Sequence, residues 1–260
     1  LWSRNLQKEK GYDLADWGFA GSPLIAGELV ILTVGEAGAA LNKQTGADVW
    51  ASGNAVPAGY STPLPVKLGE TEAVLLSTSE SYLAVETATG KALWSVEWKT
   101  RYGVNAADPI VDDGQMFLSS GYNKGCALYA LNGTSAPSLL WENDELRNQF
   151  NSSVKVGGSL YGIHDDQNKR PDLRCVDWAT GAVEWEERSI GFGALMAADG
   201  KLLVQTDKGE LAIVRATPET YDEVSRFQVL SGRCWTAPVL ANGHLFVRNS
   251  EGTAKCFSLQ

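Results

Sequence analysis

The sequence predicts an all-β protein of six repeated four-stranded units, on three observations. A glycine hairpin recurs at a nearly constant spacing, a strand pair ending in tryptophan recurs with the same period, and almost no helical periodicity lies between them. The hairpin is a short apolar run, a tight turn and a second apolar run. Its glycines are Gly27 in LIAGELVIL, Gly69 in VKLGETEAVLL, Gly114 in VDDGQMFL, Gly158 in KVGGSLYGI, Gly200 in AADGKLLV and Gly243 in LANGHLFV, at steps of 42, 45, 44, 42 and 43. Pairs such as Asp113-Gly114, Gly157-Gly158, Asp199-Gly200 and Asn242-Gly243 supply the positive φ angles of two-residue hairpins, so each marks two antiparallel strands.

The second marker follows each hairpin: a short strand, a polar turn and a strand closing on an aromatic. It reads ALNKQTGADVW to Trp50, AVETATGKALW to Trp94 and CVDWATGAVEW to Trp185. The third copy, ALNGTSAPSLLW to Trp141, is degenerate, and the fifth, IVRATPETYDEVSRF, is stretched and closes on Phe227. Trp2, Trp50, Trp94, Trp141 and Trp185 stand 48, 44, 47 and 44 residues apart. Ala40, Ala84, Ala130, Cys175 and Cys256 share one slot, where a small residue lets sheets approach closely.

Four strands per repeat of this length make the blade of a β-propeller, each sheet face buried against the next blade. The closing Trp offers a large flat ring to fill the seam between sheets. The expected fold is therefore a single domain over residues 1–260 with six four-stranded antiparallel repeats, alone or as part of a seven- or eight-bladed propeller. The sixth repeat stops after its third strand, and Leu1-Trp2-Ser3 matches Leu93-Trp94-Ser95. Leu1-Trp2 is thus read either as the fourth strand of the last blade or as the end of an upstream blade.

Composition narrows the function. With 22 Lys and Arg against 31 Asp and Glu the formal charge is −9, which disfavours a nucleic-acid partner. No apolar run reaches the length of a transmembrane segment. Two histidines 80 positions apart, His164 and His244, leave little for histidine-based metal or triad chemistry. The segment from His164 to Arg170 is polar but lacks the alternating oxygen ligands and glycine of a calcium loop, so no metal site is expected. Glu142-Asn143-Asp144-Glu145 reads as an acidic surface connection. Asn132-Gly133-Thr134 and Asn151-Ser152-Ser153 match the glycosylation sequon. The four cysteines, Cys126, Cys175, Cys234 and Cys256, are read as thiols used as small apolar residues, with Cys126 and Cys175 the one candidate for a bridge. No local nucleophile-and-base arrangement is marked, so no catalytic residue is assigned.

The TG-x-x-x-W pattern resembles the tryptophan-docking motif of the PQQ-repeat propellers, a superfamily that includes quinoprotein alcohol dehydrogenases and the BamB-type components of outer-membrane barrel assembly. The likeness covers essentially the whole chain and implies an exported protein, periplasmic or extracellular. It implies two functional classes. One is a non-catalytic binding or assembly scaffold that needs no cofactor. The alternative is a PQQ- and calcium-dependent oxidoreductase or its relic, but such enzymes hold the quinone beside two adjacent cysteines, and no two cysteines here are adjacent.

A binding site belongs at the segments that lead into the first strand of each blade, which sit around the channel mouth. Aligned on Pro23, Pro63, Pro109, Val154, Leu195 and Pro238, these place Ala20, Tyr60, Ala106, Asn151, Phe192 and Trp235 in register, with Phe19, Gly59, Asn105, Phe150, Gly191 and Cys234 one step out. Trp17, Tyr102 and Arg233 flank the same rim. Aromatic faces with a few donors suit recognition of a protein, small-molecule or glycan partner. The candidate binding residues are Trp17, Tyr60, Tyr102, Asn105, Asn151, Arg233 and Trp235, with Asn105 and Asn151 alternatively serving backbone groups at strand starts.

Overall fold

The computed structural model describes residues 1–165 and 169–259. Its strands follow the repeat. Blade 1 comprises β1 (Leu24–Ala26), β2 (Leu29–Leu32), β3 (Ala39–Asn42) and β4 (Asp48–Ala51), preceded by the short helix α1 (Leu6–Lys10). Blade 2 comprises β5 (Leu64–Leu68), β6 (Thr71–Ser77), β7 (Ser81–Glu86) and β8 (Ala92–Glu97), and blade 3 β9 (Ile110–Asp112), β10 (Gln115–Ser120), β11 (Gly125–Asn132) and β12 (Ser135–Asn143). Blade 4 comprises β13 (Val154–Val156), β14 (Ser159–His164), β15 (Asp172–Asp177) and β16 (Val183–Glu187); blade 5 comprises β17 (Gly193–Ala198), β18 (Lys201–Thr206), β19 (Glu210–Arg215) and β20 (Asp222–Gln228). Blade 6 holds β21 (Val239–Ala241), β22 (His244–Arg248) and β23 (Ala254–Ser258). Within every sheet the strands pair in sequence order. This is the blade repeat of a β-propeller, five sheets of four strands and one of three among the described residues. Residues 1–5 form no strand.

The hairpins divide by turn chemistry. Asp113-Gly114, Asp199-Gly200 and Asn242-Gly243 have positive φ at both central residues, as a type I′ turn requires. At the other three hairpins only the first central residue, Gly27, Gly69 or Gly157, is positive, as in type II′. The fourth repeat therefore depends on Gly157, one position before the Gly158 that the spacing singled out.

The chain forms two compact units, Leu1–Ser120 with Leu128–Leu140, and Gly121–Ala127 with Trp141–Gln260. In the first unit the core lies between sheets: Ile31 and Ala40 of blade 1 meet Val74, Leu76, Leu83 and Val85 of blade 2, with Trp50 packed against them. Ala40 pairs with Trp50 across β3 and β4, and a bulge follows it at once; Ala84 and Trp94 repeat the arrangement. The small residue leaves room for the ring, and the bulge turns the strand beneath it. The Trp50 indole N–H donates to the Thr87 carbonyl at 2.9 Å. Its ring lies over Gly90, where a Cβ would come within 2.5 Å of it, so only glycine fits this platform. Trp2 docks on blade 1 in the same way, donating to the Lys43 carbonyl at 3.0 Å and lying over Gly46. Arg4 reinforces it through the Gly46 carbonyl at 2.6 Å, and Lys10 reaches Asp48 at 2.5 Å. Residues 1–10 are thus strapped to blade 1, with α1 capped by the Asn5 side chain on the Lys8 N–H.

Trp94 breaks the pattern. The turns after β3, β7 and β15 each span five residues, whereas β11 and β12 join through two, Gly133 and Thr134. Without the longer turn blade 3 offers no equivalent platform, and the Trp94 indole N–H is buried with no acceptor. The degenerate third copy in the sequence is the source of this unfilled bond.

In the second unit Trp141 donates to the Trp178 carbonyl at 3.0 Å and lies over Gly181, while Trp185 donates to the Thr217 carbonyl at 2.9 Å. Tyr161, Ile163, Leu173 and Cys175 of blade 4 pack with Leu202, Val204, Ala212 and Val214 of blade 5. A second core joins Leu203 and Leu211 to Leu245 and Val247. Two expectations are corrected here. The bulge after Ile213 places Ser225, not Phe227, in the tryptophan slot, and Phe227 lies two residues on and 46% exposed. Cys256 is exposed on the outermost strand of its sheet instead of buried in a seam.

Replacing each indole N–H by sulfur, with benzothienylalanine in place of tryptophan, isolates the bond from the ring. At Trp50 the change leaves the Thr87 carbonyl without its donor and lowers unfolding stability by about 1–2 kcal/mol; at Trp94 it is neutral or stabilising. Denaturant titration of the two variants checks this.

Candidate functional site

The blade rim is built from backbone that the second strands hold in place. Thr33, at the end of β2, donates to the Ser61 carbonyl of blade 2 at 3.0 Å. Ser77, at the end of β6, donates to the Asn105 carbonyl of blade 3 at 3.2 Å and accepts the Ser61 hydroxyl at 2.7 Å. In the second unit Gln205, near the end of β18, donates to the Arg248 carbonyl at 3.1 Å. Neighbouring blades are therefore fastened by polar side chains at one end, and these fix the loops that carry the candidate residues.

The two asparagines prove to be fasteners. Asn105 is fully buried: its amide donates to the Thr78 carbonyl at 2.8 Å and the Trp98 carbonyl at 2.7 Å, and its side-chain oxygen accepts from Ser120. It presents nothing to a ligand, which corrects its placement on the rim. Asn151 is half-buried and donates to the Gly193 carbonyl at 2.6 Å, joining blade 4 to blade 5. With both amides engaged, and Asn132 donating to the Ala136 carbonyl and Ser138, neither sequon presents a free amide.

The aromatic candidates are surface groups. In the first unit Trp17 is 64% exposed and meets Tyr60 edge-on at 5.9 Å between ring centres, while Tyr102 is exposed beside Arg101, whose guanidinium lies 5.3 Å from the ring. Phe19 instead packs with Tyr12, Val34 and Ala39 in the interior. In the second unit Phe150, Phe192 and Trp235 form a triangle with centres 5.1, 5.1 and 6.2 Å apart. Trp235 is 44% exposed, and the Arg233 guanidinium stacks on it at 4.4 Å. Arg233 and Trp235 were visible as candidates from composition and register; their joining with Phe150 and Phe192 was signalled only by the shared register of the lead-in segments.

Elsewhere the side chains are structural. All four cysteines are free, so Cys126 and Cys175 form no bridge. Burial pushes the Cys126 thiol up to about 12, far from a reactive thiolate. The acidic segment after Trp141 does more than connect. Asn143 donates to the Gly181 carbonyl at 2.8 Å and Glu145 pairs with Arg174 at 2.7 Å, tying this segment to blade 4, while Asp144 pairs with Arg147 within it at 2.9 Å. Of the polar segment from His164, Asp166, Gln167 and Asn168 lie outside the described residues, while His164 and Asp165 are buried. Among the described residues no three His, Cys, Asp or Glu side chains gather as metal ligands.

The division of labour is testable by stability. Asn105→Ala strips the Thr78 and Trp98 carbonyls of their donor and is expected to cost about 2–4 kcal/mol. Trp235→Ala at the exposed cluster is expected to cost about 1 kcal/mol or less. Equal losses in denaturant titration contradict the assignment.

Comparison with known proteins agrees with the architecture. The structure superposes on BamB from Moraxella catarrhalis with a TM-score of 0.70 at 17% identity, covering 91% of this chain and 71% of that one. The WD40 β-propeller domain of Doa1 gives 0.62 at 13%, covering 94% and 79%. The quinohemoprotein alcohol dehydrogenase of Comamonas testosteroni gives 0.60 at 12%, covering 88% of this chain and 47% of that one. At these identities the likeness carries the fold alone. No curated protein matches the sequence. The family described as outer membrane protein assembly factor BamB matches residues 1–187, well over half the chain. The protein belongs to this BamB family of β-propellers.

Proposed function

We propose that the protein is a non-catalytic, exported scaffold of the periplasm that binds a protein partner in outer-membrane protein assembly, the process named in its family's description. The observation that carries the reading is Arg233 stacked on the half-exposed Trp235, itself seated on Phe150 and Phe192. Tryptophan and arginine are the residues most enriched among interface anchors, because a large rigid ring and a planar guanidinium bury area at little entropic cost. The groups at this cluster bind by stacking and hydrogen bonding and carry no nucleophile. No described helix is long and apolar enough to cross a membrane.

The side chains present do not suit the quinoprotein alternative. A quinone held by adjacent cysteines has no counterpart, since Cys126, Cys175 and Cys234 are buried singly and Cys256 lies alone on β23. These residues do not fit the cofactor, and no redox step is assigned to them.

A photo-crosslinking residue at position 235 in cells is expected to capture a component of the outer-membrane assembly machinery. The same probe at Val224, exposed on β20, serves as the control. The pair Arg233→Ala and Trp235→Ala should weaken that partner by about 2 kcal/mol, roughly thirtyfold. Identical products from positions 224 and 235, or none from 235, contradict the proposal.

A further inference from the structure

We infer that the exposed cluster of the second unit receives an extended acidic segment with an apolar or aromatic side chain between its carboxylates. The inference rests on the scaffold reading above and specifies the chemistry of the partner. A cleft of about 320 Å³ is lined by Arg170, Ile190, Phe192, Asp207, Lys208 and Glu210, among others. That is the size of a small ligand cleft, enough for one or two side chains. Phe192 lines this cleft and also belongs to the aromatic triangle with Phe150 and Trp235, so the cleft adjoins the half-exposed Trp235.

Three cations border that surface. The Arg170 guanidinium lies over Gly191, with two of its nitrogens 3.7 Å from where a Cβ would stand. Lys208 lines the cleft in the turn after β18, and Arg233 lies on Trp235. None of the three makes an ion pair with a described residue. Of the two carboxylates in the cleft, Glu210 is held by Arg226 at 3.6 Å, which leaves Asp207, with Glu251 against Gly232 beside Arg233, facing three cations. In a chain of formal charge −9 this local surplus of positive charge stands out. An incoming apolar side chain would lie on Phe192 and Trp235, and flanking carboxylates would meet the guanidinium forks and the ammonium group. A basic partner would place like charges together and be rejected.

The test uses the full chain and a labelled synthetic peptide of repeated Asp-Phe-Glu-Leu, followed by fluorescence anisotropy. Its counterparts carry Lys and Arg, or Ser and Gln, at the charged positions. The acidic peptide is expected to bind, to be released as salt rises, and to weaken at least about tenfold in the combined variant Arg170→Glu, Lys208→Glu and Arg233→Glu. The basic peptide should show the reverse preference. If the combined variant lacks the native near-ultraviolet circular dichroism, the single changes Lys208→Gln and Arg233→Gln decide, each expected to weaken binding about threefold or more. No binding of the acidic peptide, equal binding of acidic and basic peptides, or indifference to these substitutions overturns the inference. Crosslinking from position 235 separates the two levels: if it persists while the acidic preference fails, the scaffold reading stands and this inference falls.

Discussion

The structure depends on one contact repeated along the chain: an indole ring at the end of one blade laid on the glycine of the next blade's turn, its N–H bonded to a backbone carbonyl there. Trp50 and Trp141 each make both halves of it, Trp185 makes the hydrogen bond, and Trp2 makes both halves from the segment ahead of blade 1. A twisted four-stranded sheet has two apolar faces and cannot bury them alone. The indole solves this locally, because one side chain supplies both a large apolar plane and a directional donor. Register follows from it, since the ring reaches its platform only if the small residue across the strand and the bulge beyond it are in place.

The same logic explains where the site lies. Thr33, Ser77, Asn105 and Gln205 fasten one end of their blades, their polar atoms consumed by backbone of the neighbouring blade. Tyr60 adjoins Ser61, whose carbonyl accepts from Thr33, and Trp235 adjoins the buried Cys234, so the lead-in segments carry their rings beside anchored backbone. Function of this kind varies without disturbing the seams that hold the blades.

Much of this was legible in the sequence. The hairpin glycines, the tryptophan period and the alanine slot carry their geometry in single residues, because only glycine tolerates the turns and only a small side chain fits opposite the ring. The misreadings share a cause: spacing does not reveal which side of a strand a residue takes. A bulge shifted the slot of blade 5 from Phe227 to Ser225, and Asn105 was placed outward although its amide is the internal fastener of blades 2 and 3. Three residues missing from one turn left Trp94 without an acceptor, a consequence visible only once the platform had been seen elsewhere. The grouping of Phe150, Phe192 and Trp235 depends on contacts between blades, which no local pattern encodes.

The most direct measurement of the central contact is the indole region of a proton–nitrogen correlation spectrum, followed with temperature and assigned by single Trp→Phe variants. The indole protons of Trp2, Trp50, Trp141 and Trp185 are predicted to resonate downfield with shallow temperature dependence, as bonded donors do, while that of Trp94 resonates upfield as an unbonded one. Indistinguishable behaviour of Trp50 and Trp94 would contradict the account.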